Sequence, residues 1–363
     1  MNNTQQNFHG SDLEVIADRY HIDVNSIVPY ASNVNPLGIS PLARQAILDN
    51  VDAIKAYPDR NYTSLKERIS KYCGTIPEHI VLGNGTSDLI RLTFELIAPS
   101  KTMIVGPTYA EYARTASLYG SEVKTYMLKN IDDFEMDVDL FLKALNETYD
   151  LLVLCNPNNP TGKCLTKDQI AQILTRCREL DIFVMIDETY VEFVKDIDEI
   201  SSVPLTITYN NLVILRGVSK FFASPGLRLG YAITSNHDYI NESDGKSLLW
   251  SINAYASVAG VMFEDEHYIN ATRTLIQTER NLIYSVLSSR KTIKVFKPTS
   301  NFVLIKLLKE NQTASEVFDY CIRRNLMIRD CTDYEGLGDK YIRFCFLKPE
   351  QDDDIVNTLL EIV

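Results

Sequence analysis

Short apolar, β-branched runs separated by helix-length amphipathic stretches constrain this chain most. The runs are Met103–Val105, Leu151–Leu154, Phe183–Ile186, Leu212–Leu215 and Leu229–Ile233, and Lys167–Leu180 is typical of the stretches between them. A strand that is apolar on both faces needs cover on both, so the pattern predicts an α/β fold with a mostly parallel sheet and helices on both faces. Beyond about residue 250 the pattern changes to long helices, Tyr268–Leu287 and Ser315–Arg324, with shorter strands at Phe302–Lys306 and Tyr341–Phe346. That part reads as a smaller α+β domain. Upstream, a short helix is expected from Asp12 to Tyr20, and another after Pro41, beyond the turn-rich ASNVNPLG. Three units follow: an N-terminal segment, 1–45, packing on the small domain; a large sheet domain, 46–250; and a small C-terminal domain, 251–363.

Composition removes several functions. The net charge of -12 disfavours nucleic acid and anionic membranes as partners. No run approaches 18 apolar residues, and MNNTQQNFHGSDLEV has no basic stretch leading into an apolar one, so neither a membrane span nor a signal peptide is expected. Seven scattered cysteines, without a CxxC pair or a histidine at ligand spacing, read as reduced thiols of a cytoplasmic protein with no metal site.

Open sheets bind ligands where loops leave the carboxyl ends of their strands, and five segments fall there. GVSKFFASPGLRLGY, Gly217 to Tyr231, places Lys220 among apolar neighbours just after LVILR. Burial lowers a lysine's pKa, and the neutral amine can condense with an aldehyde. Ser219 and Arg228 can offer a phosphate a hydroxyl and a permanent cation. Taken alone, a solvated loop lysine is the simpler reading. DETY, Asp187 to Tyr190, ends FVMID; its carboxylate can pair with a protonated pyridine nitrogen and its tyrosine with a phenolic oxygen. An N-cap aspartate before a core tyrosine fits as well. In CNPNNPTG two X-Pro steps make a rigid loop that fixes Asn159 toward the same phenolic oxygen; a plain turn is the alternative.

GNGTSDLI, Gly83 to Ile90, opens an amphipathic helix whose first N–H groups, after Gly85, suit a phosphate. Thr86 and Ser87 are expected to cap that helix and to reach the phosphate, although capping alone would explain them. The segment is neither GxGxxG nor GxxxxGK[ST], so a nucleotide fingerprint is lacking. In PTYAEY, Tyr109 can stack on a planar cofactor or sit in the core.

In this order and spacing the five segments resemble the fold-type I pyridoxal 5′-phosphate (PLP) enzymes, aminotransferase class I and II. Within them the chain looks most like the histidinol-phosphate aminotransferase and threonine-phosphate decarboxylase group. The resemblance runs from HGSDLEVIADRY to LMIRDCTDYEGLGDKYIRF, essentially the whole chain. It implies an aspartate aminotransferase-like fold and PLP as cofactor, bound by the large domain. It implies Lys220 as the Schiff-base lysine, Asp187 at the pyridine nitrogen, Tyr190 and Asn159 at the phenolic oxygen, and Tyr109 stacked on the ring. Gly85, Thr86, Ser87, Ser219 and Arg228 match the phosphate cradle. Tyr57 in AYPD matches a tyrosine reaching the neighbouring subunit's cofactor phosphate, which implies a homodimer with shared active sites. Arg343 in YIRF matches the arginine that grips the substrate carboxylate, Arg329 in MIRDC a second anion-binding arginine, and Asn33 and Asn35 the substrate side.

Two positions depart from the pattern. Gly217 stands where relatives usually carry Ser or Thr, removing one phosphate hydroxyl, and Ser224 stands where an apolar residue is usual. The reaction depends on which Cα bond lies perpendicular to the cofactor ring. With the carboxylate held near the ring plane by Arg343, the Cα–H bond faces Lys220, which then shuttles the proton for transamination. With the carboxylate perpendicular, decarboxylation follows. PTYAEY, LWSIN, and MIRDC followed by DYEGL resemble threonine-phosphate decarboxylases more, whereas most sequences of the broad type are transaminases. The expectation is an aminotransferase using a small amino acid or phosphorylated amine and a 2-oxo acid, with an amino-acid-phosphate decarboxylase as the alternative. A nicotinamide oxidoreductase lacks its glycine fingerprint here, and a sensor half of a regulator lacks a basic DNA-binding extension.

Overall fold

A computed structural model describes residues 12–363; the start of the expected N-terminal segment, 1–11, lies outside the described residues. The apolar runs form strands β1 (Ile80–Gly83), β2 (Lys101–Gly106), β3 (Glu122–Met127), β4 (Leu151–Cys155), β5 (Phe183–Asp187), β6 (Leu212–Gly217) and β7 (Gly230–Ile233). They build one sheet in the order β1-β7-β6-β5-β4-β2-β3. Four neighbouring pairs are parallel, and β7 runs antiparallel between β6 and β1. The chain passes from β6 to β7 without the α-helix that a parallel crossover uses.

β4, β5 and β6 carry no exposed residue, as their unbroken apolar sequences require. Helix Thr86–Ile97 covers one face with Leu89, Ile90, Leu92 and Phe94. Helix Lys167–Glu179 covers the other with Ile170, Ile173, Leu174 and Cys177, and starts from a capping box between Thr166 and Gln169.

A second sheet, entirely antiparallel, contains β8 (Ile293–Val295), β9 (Phe302–Leu307), β10 (Arg329–Asp330) and β11 (Tyr341–Cys345) in the order β10-β11-β9-β8. Helices Glu266–Ser288 and Ala314–Ile322 pack against it, and helix Pro349–Ile362 packs on both. The N-terminal stretch docks nearby: Val28 N–H donates to the Asn325 carbonyl at 2.8 Å, and Met327 N–H to that of Val28 at 3.0 Å. Four strands, β1, β3, β8 and β10, are not among those read from the sequence. Among the described residues no helix is long and apolar enough to cross a membrane.

Since β7 alone reverses direction, the carboxyl ends of β1, β2, β4, β5 and β6 meet the start of β7 at one edge of the large sheet. All five sequence motifs leave from that edge, and Arg228 lies just before β7.

Candidate active site

A cavity of about 560 Å³ opens at this edge. Lys220 lies in its wall, its amine donating to the Ser32 carbonyl at 2.6 Å. Burial, with the nearby Arg343 cation adding to it, lowers the amine's pKa to about 8, so roughly a tenth of it is neutral at pH 7, far more than for an ordinary lysine.

Asp187, at the end of β5, is buried in the same wall. Its Oδ2 accepts from the Tyr112 hydroxyl at 2.7 Å and its Oδ1 from the Thr189 N–H at 2.9 Å. Burial raises the carboxyl's pKa, and these hydrogen bonds oppose the rise. Across the cavity, Arg343 on β11 donates to Asn159 Oδ1, to the Tyr334 hydroxyl at 3.2 Å and to the Ala31 carbonyl at 2.9 Å. The Asn33 amide donates to the Tyr190 hydroxyl at 3.2 Å. Arg343 Nε and Asn33 Oδ1 are buried without a partner, an arrangement that suits a bound polar ligand because orphaned buried groups are costly.

At the other end of the cavity the chain forms a cradle. Gly85 has φ 82°, and a Cβ there would run into the Arg228 guanidinium. No side chain caps helix Thr86–Ile97, whose N-cap is Gly85. The expectation that Thr86 and Ser87 cap this helix is corrected: both lie inside its first turn, leaving the first N–H groups open to an anion. Ser219, Thr86, Ser87 and Arg228 line this end, and Tyr109 lines the same cavity. Arg228 is tied down by donation to the Pro225 and Asn84 carbonyls, both at 3.3 Å. Uncapped amides, three hydroxyls and a fixed guanidinium at one end, with a buried amine and a carboxylate further in, fit a flat cofactor with a phosphate tail.

A Cβ on Gly217 would lie 3.1 Å from the Thr86 methyl, a tight contact that the threonine side chain would have to ease by a few tenths of an ångström. Ser224 turns its hydroxyl to the Phe222 carbonyl at 2.8 Å.

Of the predicted site residues, Gly85, Thr86, Ser87, Tyr109, Asn159, Asp187 and Tyr190 meet in this cavity, joined by Ser219, Lys220, Arg228, Asn33, Arg329 and Arg343. Asn35 does not. Its amide donates to the Phe221 carbonyl at 2.8 Å, the Tyr268 hydroxyl at 2.9 Å and the Thr272 hydroxyl at 2.8 Å, so it braces the Lys220 loop from behind. Tyr57 lies outside the cavity, 77% exposed, with its ring 4.5 Å from that of Trp250. Sequence reasoning does not find Tyr112, Tyr334, Asp333 or the Ser32 carbonyl. PTYAEY contains Tyr112 at a helical offset from Tyr109, and that spacing is the one signal for it.

A family model described as aminotransferase class I and II matches residues 25–359. The chain is 32% identical over 361 residues to a histidinol-phosphate aminotransferase of Methanosphaera stadtmanae, covering 98% of this chain and 95% of that one. It is 29% identical over 356 residues to a threonine-phosphate decarboxylase of Salmonella typhimurium, covering 98% and 96%. The crystal structure of the histidinol-phosphate aminotransferase from Clostridium acetobutylicum matches with a TM-score of 0.86 at 32% identity, over 92% of this chain and 98% of that one.

Proposed function

The chain belongs to the aminotransferase class I and II family, and on that premise we propose that it is a PLP-dependent aminotransferase acting on a small amino acid or a phosphorylated amine. One observation carries this reading: the buried Lys220 amine, with its lowered pKa, shares a cavity with the Asp187 carboxylate and the Arg228 cradle. When bound, PLP supplies a ring that draws electron density from the substrate's Cα.

The chain's own residues do the rest. Lys220 would anchor the cofactor's aldehyde carbon and serve as general base and acid for the proton at Cα. Asp187, steadied by Tyr112, would hold the pyridine nitrogen, Asn159 and Tyr190 the phenolic oxygen, and Tyr109 the ring. Gly85, Thr86, Ser87, Ser219 and Arg228 would hold the phosphate. Arg343 clamps the substrate carboxylate, Asn33 lines the pocket beside it, and Arg329 offers a second polar contact.

A homodimer belongs to the same proposal. Tyr57 and Trp250 lie near exposed Leu48, Val51, Ile54, Leu248 and Leu249 in the chain, a set of apolar side chains that a second copy would cover. In it, Tyr57 would reach the other subunit's phosphate.

The second reading, decarboxylation of an amino-acid phosphate, is favoured by the similarity to a threonine-phosphate decarboxylase at nearly full length. The holoenzyme should be incubated with threonine phosphate alone, and with histidinol phosphate or plain L-amino acids plus 2-oxoglutarate. Glutamate formation is the expected result; carbon dioxide release without glutamate would move the assignment to the decarboxylase.

A further inference from the structure

Arg329 and Arg343 are register partners across β10 and β11, which puts both side chains on one face of the small sheet. Both line the cavity. Two neighbouring guanidinium groups need acceptors, and the chain supplies them differently. Arg329 Nη2 donates to both carboxylate oxygens of Asp333, at 2.8 and 2.6 Å, and Nη1 to the Asp330 carbonyl at 2.8 Å. These two side chains are only 14% and 20% exposed, so solvent screens the pair weakly. Arg343 has neutral acceptors alone, and its Nε has none.

The turn that carries Asp333 is fixed. Ser315 and Thr332 hydroxyls hold the Asp330 carboxylate at 2.6 and 2.5 Å. The Arg329 guanidinium lies 5.3 Å from the Tyr334 ring, whose hydroxyl contacts Arg343. At the mouth, Arg114 is paired with Glu111 at 2.7 Å. Setting aside Lys220 and Arg228, which serve the cofactor, Arg343 is the one cavity cation among the described residues without a carboxylate partner.

We propose that Asp333 sets the substrate class: by occupying Arg329 it leaves Arg343 to hold the donor's carboxylate and disfavours a phosphoryl group at the distal end. A phosphoryl group entering there must displace Asp333 or share Arg329 with it, and like charges so close repel strongly. The inference rests on the substrate pocket proposed above and selects its small-amino-acid branch. It would set this chain apart from relatives whose names carry a phosphorylated substrate.

Two measurements on the holoenzyme test it. The first is the ratio of kcat/KM for O-methyl-L-threonine to that for threonine phosphate, followed as donor consumption whatever the product. The wild-type ratio should exceed one, and Asp333→Asn should shift it toward the phosphate by roughly 10- to 100-fold, mainly through KM. Asp333→Glu should retain the wild-type preference, which a merely structural role does not require; Asp333→Ser is the second neutral variant should Asn fold poorly. The second measurement is calorimetric titration with inorganic phosphate, which needs no turnover. Asp333→Asn should bind phosphate about tenfold tighter than wild type, and adding Arg329→Gln should remove that gain. If no donor is consumed, the proposed activity has failed while the phosphate titration still decides the role of Asp333. Unchanged phosphate affinity in both neutral variants, or a wild-type preference for threonine phosphate, would overturn the inference.

Discussion

Tyr112 donates its phenolic hydrogen to Asp187 Oδ2 at 2.7 Å, which makes a tyrosine on a neighbouring helix the support of the carboxylate proposed to meet the cofactor ring. Burial already pushes the Asp187 carboxyl upward, and this hydrogen bond is among the interactions that oppose the rise. Tyr112→Phe should therefore raise it further, so that the carboxylate is lost at a higher pH as acidity increases. The expected result is roughly a tenfold lower kcat near neutrality, the size of one hydrogen bond to a charged group, with little change in KM and the acid limb of the pH–kcat profile moved upward. An unmoved acid limb would show that Tyr112 does not act through Asp187.

Lys220 gives a prediction about the cofactor-free protein. Its pKa falls from the ordinary 10.5 to about 8 on folding. Below pH 8 the amine is charged in both states, and burying that charge destabilises the fold in full. As pH rises from 8 to 10.5 the folded amine is neutral while the unfolded one still binds a proton, so stability recovers. Lys220→Met should thus melt higher than wild type below pH 8, by up to roughly 3 kcal/mol, and the advantage should vanish toward pH 10.5. Thermal melts of both cofactor-free proteins across that window check this; an advantage independent of pH would contradict the lowered pKa.

Much of this arrangement is legible in the amino-acid sequence, for a simple reason. Lys220, Asp187, Asn159 and Tyr109 each follow an apolar run that can only be a covered strand, so one sheet edge gathers them. Local pattern does not reveal what distant chain brings. Asn35 reads like Asn33, yet Tyr268 and Thr272, more than 230 positions away, claim its amide. Asp333 is an ordinary surface aspartate until the β10–β11 register sets Arg329 beside Arg343. β3 gives little signal because EVKTYM is a half-exposed edge, and β10 gives none because two residues carry no periodicity.

Arg343 joins the two sheets: it sits on β11 and donates to Asn159, which follows β4. Lysine at 343 would keep the charge but not the planar fork that serves Asn159, Tyr334 and Ala31 together. Arg343→Lys should raise KM for the amine donor by about tenfold or more, while the protein as purified keeps the visible absorbance of its cofactor. Borohydride should still fix that cofactor on Lys220, as peptide mapping would report. A normal KM would count against the carboxylate clamp.

Gly230 packs directly against backbone in the cradle. A Cβ there would stand 2.6 Å from the Gly85 carbonyl carbon and 2.8 Å from the Thr86 nitrogen. Both are backbone atoms, which cannot turn aside as a flexible side chain can. Gly230 is in register with Gly83 on β1 and Gly217 on β6, and this row of three glycines lets helix Thr86–Ile97 begin directly against the sheet. In Gly230→Ala the helix start must move outward, taking with it the amides proposed to hold the phosphate. The variant should fold with unchanged far-ultraviolet circular dichroism, lose roughly 1–3 kcal/mol of stability, and release cofactor about tenfold faster on dialysis. Gly226→Ala, where a Cβ meets nothing within 4 Å, should match wild type in both respects. Equal cofactor retention in all three proteins would mean that the start of this helix does not carry the phosphate.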